Sequence, residues 1–207
     1  MPLQNRVNPF GTIVAVDARG TMMGNRGGRM HDAAQRLTNE RWVSRRWICC
    51  LLEFRGRRHP VMGPNSYTAL FFLDEATALA SGHRPCRECR RAAFDAFKRA
   101  WAGANPEHGV TLADSIDAVD RVLHAERTRP ADSRRTVELA ALPDGAMAAA
   151  GEEVWLAWGG AAWRWRWDGY IRAVAPERLA LLTPPSIVAT LRAGWRPEPH
   201  PTLVAAG

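Results

Sequence analysis

The chain has 207 residues, 46% hydrophobic and 24% charged, enough length and apolar content to bury a core, which excludes intrinsic disorder. No apolar run approaches the roughly 20 residues that span a bilayer, and the opening "MPLQNRVNPFG" lacks the basic-then-apolar pattern of a secretory signal. The expected location is the cytoplasm, where thiols stay reduced, so the four cysteines read as metal ligands, catalytic groups or core residues rather than disulfides.

The formal charge of +7 is unevenly spread. Residues 1–60 hold eleven arginines against four acidic side chains, whereas residues 61–207 hold seventeen of each sign. Lys98 is the one lysine among 28 basic residues. The planar guanidinium suits phosphate and base edges, which makes the N-terminal segment a candidate nucleic-acid surface; compositional bias toward arginine would leave a merely basic surface with the same letters.

In chain order, a short strand "GTIVAV" (11–16) precedes "ARGTMMGNRGGRMHD" (18–32), a Gly- and Arg-rich stretch that reads as a loop. Such a loop presents backbone N–H groups to a phosphate or serves as a mobile connector; it matches neither a P-loop nor a dinucleotide fingerprint. "RWICCLLEF" (46–54) has the length and content of a buried strand. Alternation puts Ile48, Cys50, Leu52 and Phe54 on one face and Trp47, Cys49, Leu51 and Glu53 on the other. After a turn at "RGRR" (55–58), "SYTALFF" (66–72) is a second strand. Asp74 N-caps a short helix, "EATALA", that Gly82 ends. A longer helix is expected from Cys86 to about Trp101, with Phe94, Phe97 and Trp101 at helical spacing.

Beyond the break "GANPEHG" (103–109), "LADSIDAVDRVLHAE" (112–126) is an amphipathic helix and "RTRPADSRR" (127–135) reads as a linker. "EEVWLAWGGAAWRWRWDGY" (152–170) is a hairpin turned at Gly159 and Gly160, since a tight hairpin turn needs positive φ. "RLALLT" (178–183) adds a strand, and Ser186 caps a last helix closed by Gly194. The expected fold is α+β, with a basic, helix-bearing module over 1–128 and a smaller Trp-rich β region over 136–207.

The stretch "SGHRPCRECRR" (81–91) carries the clearest chemistry. Two cysteines separated by two residues let both sulfurs reach one tetrahedral ion, and a following helix N-terminus favours thiolates; two core thiols opening a helix give the same letters. Cys49 and Cys50 point to opposite faces of their strand, so one of them at most joins such a site. Cys50 shares the more apolar face and reads as core, and Cys49, beside Glu53, reads as the ligand. Further donors would come from His59, His83 or His31.

The run "YTALFFLDEATALASGHRPCRECRR" (67–91) resembles the zinc-binding module of the Ada-type alkylation-response proteins, over about residues 47–91 and most specifically at Ala76, Ala78, Leu79, Gly82, Arg84, Pro85, Cys86 and Cys89. The resemblance implies a zinc ion with Cys86 and Cys89 among its ligands. In that family four cysteines hold the zinc, and one of the first pair accepts a methyl group from a DNA phosphotriester. Counting back across 26 intervening residues from Cys86 reaches His59, and Arg55 stands where the accepting cysteine would be; the resemblance therefore implies the zinc centre without the methyl transfer. The regulatory helix-turn-helix and alkyltransferase motifs of that family do not occur in the chain. The expected ligand set is Cys86, Cys89, His59 and Cys49.

"PCREC" also matches half of the zinc deaminase pattern, but the one H-x-E, "HAE" (124–126), follows this Cys-x-x-Cys knuckle (86–89) instead of preceding it. His31 beside Asp32 would suit a hydrolytic site with metal-activated water, or simply start a helix. "WRWRW" (163–167) puts three tryptophans on one face and two arginines on the other, which serves base stacking or, as favoured here, core packing. The reading is a zinc protein that interacts with nucleic acid, DNA rather than RNA, through Arg26, Arg29, Arg45, Arg46, Arg57 and Arg58. The alternative is a zinc-dependent hydrolase or deaminase-like enzyme with an open metal position near Cys86 and Cys89 and Glu53 as proton carrier. A third class, a partner-binding protein, would expose its tryptophan face on the hairpin.

Overall fold

The computed structural model describes residues 1–56 and 61–204. They form two six-stranded sheets and five α-helices, a mixed α+β architecture. None of these helices is long and apolar enough to cross a membrane.

The first sheet contains β1 (Arg6–Val7), β2 (Ile13–Val14), β3 (Met22–Asn25), β4 (Ile48–Leu51), β5 (Leu70–Phe72) and β6 (Arg84–Pro85), in the order β2-β1-β5-β3-β4-β6. β3 lies inside the stretch expected to be a loop, antiparallel to both β4 and β5. The glycines of that stretch answer to packing: a Cβ on Gly24 would stand 2.1 Å from the Ile48 carbonyl oxygen, and one on Gly20 only 1.7 Å from that of Phe72. Only a residue without a side chain lets the chain pass so close to a neighbouring backbone. β4 pairs in parallel with β6, Ile48 opposite Arg84 and Cys49 opposite Pro85.

Asp74 caps α1 (Glu75–Ala80), accepting the Thr77 N–H at 2.9 Å, and Gly82 follows the helix at φ +84°. α2 (Arg91–Ala104) buries Phe94, Phe97 and Trp101. It starts at Arg91 rather than at Cys86, because residues 86–90 form the turn that carries the knuckle, closed by the Arg90 N–H on the Cys86 carbonyl at 3.1 Å. α3 (Ile116–Arg127), capped by Ser115, buries Val119 and Leu123.

The second sheet holds β7 (Thr136–Val137), β8 (Met147–Ala150), β9 (Glu153–Trp158), β10 (Ala161–Arg166), β11 (Gly169–Arg172) and β12 (Leu179–Leu181), ordered β11-β10-β9-β8-β12-β7. β9 and β10 form the expected hairpin, with Gly159 and Gly160 at φ 58° and 70°. The tryptophans of β10 pack inward: Trp163 is buried, and Trp165 lies against the same core, its indole N–H donating to Thr77 Oγ1 at 3.1 Å. α4 (Pro185–Arg192) and α5 (Pro201–Val204) complete the chain. Ser186 does not cap α4 but sits in its first turn, giving its N–H and hydroxyl to the Glu126 carboxylate at 3.0 and 2.6 Å.

The two halves share their interior. Leu73, Ala76 and Ala80 pack with Met147, Leu156, Trp163 and Tyr170, while Leu79, Phe97, Trp101, Val119 and Leu123 pack with Leu181, Ile187 and Leu191. Aromatic and branched side chains of this size dominate the apolar area removed from water.

Candidate metal centre and an arginine-lined cleft

Three thiols converge at the edge of the first sheet. The Sγ atoms of Cys50, Cys86 and Cys89 all lie within 4.8 Å of one another. A tetrahedral ion with metal–sulfur bonds of about 2.3 Å holds its sulfurs roughly 3.8 Å apart, so this group can hold a metal ion with little adjustment. Two backbone amides already point at the sulfurs, Leu51 N–H at Cys89 Sγ and Glu88 N–H at Cys86 Sγ, both at 3.4 Å. Such donors stabilise thiolate, the form that binds metal. Hydrogen bonds from Cys50 and Cys89 draw the Cys86 thiol far below its usual range, and its hydrogen bonds to Cys86 and Cys89, with burial, push Cys50 far above. Burial, with the three cysteines behind it, also pushes the nearby Tyr67 phenol up to about 12.

Cys86 and Cys89 thus stand together as expected, but their companion is Cys50, not Cys49. The strand alternates as read; the assignment of its faces was inverted. Cys49 is 1% exposed in the core with Val7, Met22, Leu70 and Phe72, and burial raises its thiol well above the ordinary range, as befits a neutral core residue. Cys50 faces the other way, toward the knuckle. His59 lies outside the described residues, and no fourth His, Cys, Asp or Glu joins the group among the described ones. Glu53 is exposed and apart from it. His31 is buried, bonded to Thr68 Oγ1 at 2.7 Å and the Gly63 carbonyl at 3.1 Å, while Asp32 takes the Ala34 and Arg36 amides. That pair serves loop structure.

Among the described residues, the arginines expected to face phosphate stand in different settings. Arg57 and Arg58 lie outside the described residues. Arg46 is bidentate to Asp117 at 2.9 and 3.1 Å, and Arg29 donates to the His31 and Pro64 carbonyls. Arg45 is exposed, and its carbonyl accepts from Arg127 at 2.7 Å. Arg26 is only 2% exposed.

Arg26 instead sits at a cleft of about 280 Å³ where the two halves meet, lined by six arginines: Arg26, Arg41, Arg127, Arg129, Arg134 and Arg135. Trp47 lines it, with the Arg26 guanidinium 3.9 Å and that of Arg127 4.1 Å from its ring centroid. Trp42, 41% exposed, stands 6.0 Å from Trp47 and meets His124 edge-on at 5.1 Å. Arg26 bonds only neutral acceptors, the Gly11 carbonyl at 2.8 Å and, at 3.4 Å, the Arg41 carbonyl and His83 Nε2. Burial and the Arg26 and Arg127 charges hold His83 well below its ordinary range, hence neutral, and its Nδ1 meets Ser81 Oγ at 2.9 Å. Burial lowers both Arg26 and Arg127 to about 9, so both remain charged at neutral pH. Among the described residues lining the cleft the one acidic side chain, Glu126, is engaged by Ser186.

The arginines of 127–135 were hidden inside a stretch that reads as a linker. The available signals were the density of arginine in that stretch and the Trp42 and Trp47 pair in "RWVSRRW" (41–47). No protein-family model matches the chain, and neither a curated protein nor a solved structure matches it.

Proposed function

We propose that this chain is a zinc protein that engages nucleic acid, its ion held by Cys50, Cys86 and Cys89 in an Ada-like manner. The observation that carries the reading is the convergence of three Sγ atoms within 4.8 Å at the junction of β4, β6 and the turn before α2. Soft thiolates select zinc over hard cations, and amide N–H groups directed at sulfur favour their ionised form. His59 takes the fourth position in this reading, from its place in the sequence. The ion is structural: it ties the two-residue β6 to β4, a pairing too short to persist unaided. The nucleic-acid half is supported by the surplus of seven positive charges in residues 1–60 and by the arginines gathered at the cleft.

Elemental analysis and absorption-edge spectroscopy of the purified protein test the metal. One zinc per chain with three sulfur donors and one nitrogen is expected; a labile water in the fourth position would turn the site into a catalytic one, and an absence of metal under reducing purification would remove the reading. For nucleic acid, affinity for single-stranded and duplex DNA is expected to fall steeply with salt, as counterion release requires. Affinity that stays flat from low to moderate salt would count against it.

A further inference from the structure

We infer that the arginine-lined cleft is a binding site for the phosphate monoester of a nucleotide, the phosphate held by Arg127, Arg129 and Arg134 and the base laid against Trp42. This deepens the nucleic-acid reading and rests on it, assigning the contact to a specific pocket. Three observations converge. First, Arg26 and Arg127 are a like-charged pair against one indole; among the described residues no carboxylate bonds Arg26, and the one whose charge reaches Arg127, Asp120, is committed to a bidentate pair with Arg84. A buried cation without a counter-charge is costly, and an anion brought into the cleft offsets that cost. Second, the Arg127 Nε is buried with no hydrogen-bond partner, while its Nη atoms are committed to the Gly82 and Arg45 carbonyls at 2.7 Å. A buried donor left without a partner, on a guanidinium that lines the cleft, is one that an oxyanion satisfies once the side chain shifts to expose it. Third, the lip bears the half-exposed Trp42 indole, a flat apolar face beside the positive charge, the pairing that holds stacked bases over phosphate. At about 280 Å³ the cleft is near the small end of ligand pockets, so it admits one nucleotide unit and not a duplex.

The phosphate can belong to a free mononucleotide or to the 5′ end of a strand, and the experiment separates these. The full-length metal-loaded protein is titrated calorimetrically with deoxyadenosine 5′-monophosphate, inorganic phosphate and deoxyadenosine, and with an eight-nucleotide deoxyadenosine strand carrying either a 5′-phosphate or a 5′-hydroxyl. The mononucleotide is expected to bind more tightly than phosphate or nucleoside alone, and the 5′-phosphorylated strand about tenfold more tightly than the hydroxyl strand. Arg129→Ala and Trp42→Ala, both at exposed positions, should each weaken the mononucleotide by about tenfold with unchanged thermal midpoints. Equal affinity in these variants, or no mononucleotide binding at millimolar concentration, overturns the inference; strand binding that persists regardless then leaves the broader nucleic-acid reading standing. Mononucleotide binding without any strand binding does the reverse, keeping the pocket as a site for free nucleotide and removing nucleic acid.

Discussion

The Asp74 carboxylate sits where the two halves of the protein meet, accepting the Thr77 N–H and hydroxyl through Oδ1 at 2.9 and 2.7 Å and the Tyr170 hydroxyl through Oδ2 at 2.9 Å. Those donors favour the charged form, yet burial outweighs them and lifts the carboxyl from 3.8 to about 6. A group that holds its proton more tightly when folded adds stability that is complete below its unfolded pKa and is lost as pH rises through the folded one. Asp74 therefore lends stability near pH 4 that disappears by pH 7. Urea midpoints of Asp74→Asn should show a pH slope shallower than wild type across that window, by up to about 1.4 kcal/mol per pH unit; an unaltered slope would place the titration elsewhere. The adjacent thiols make an equally sharp comparison. On the proposed centre, Cys50→Ser is expected to lose the ion, because a hydroxyl is a far poorer zinc donor than thiolate. Cys49→Ala should retain one equivalent while losing roughly 1–2 kcal/mol to the small cavity left in the core. Cobalt substitution, read from sulfur-to-metal charge-transfer absorption, distinguishes the two.

Two buried ion pairs fasten the elements around the knuckle. Arg90, just after Cys89, is bidentate to Glu75 of α1, with Nη2 at 2.7 Å from Oε2, and both side chains are out of solvent. Glu75 also accepts the Glu198 N–H at 2.8 Å, which ties the C-terminal tail to the same point. Arg84 of β6 is bidentate to Asp120 of α3 at 2.8 and 2.6 Å. Removing one member leaves a buried charge alone, so Asp120→Ala should destabilise by about 3–5 kcal/mol in urea unfolding. Chelating the metal should act more locally: amide exchange is expected to accelerate over 48–51 and 84–90 while β8, β9 and β10 stay protected. At this scale the letters were informative wherever the cause is local. The Asp74 cap, the Gly-Gly hairpin and the CxxC turn each depend on a few consecutive residues. They failed where a distant neighbour decides. Which face of β4 becomes interior depends on how β3 and β5 bring Met22, Leu70 and Phe72 against it, and no property of "ICCL" reveals that. The cleft is harder still, since Arg26, Arg41 and Arg127–Arg135 meet only after the whole chain has folded.

The interleaved cores bind the molecule into one cooperative unit. Phe97, Trp101 and Leu123 from the first half find their apolar partners in Ile187, Leu191 and Trp195 from the second. A fragment ending at residue 128 would expose that surface, and it is expected to lack the sharp calorimetric transition of the full chain, which should itself melt in a single step. The parallel pair of β4 and β6 has a consequence for the whole protein. The Trp47 carbonyl accepts the Arg84 N–H at 3.1 Å at one end of it, and the Cys49 carbonyl accepts the Cys86 N–H at 2.9 Å at the other. Trp47 and Cys50 thus stand three residues apart on the same stretch of chain, about 10 Å at the rise of a strand. If the proposed ion and the proposed nucleotide are coupled through this stretch, the coupling is reciprocal by linkage: whatever factor the ion contributed to the grip on a nucleotide, the nucleotide would return in full to the grip on the ion.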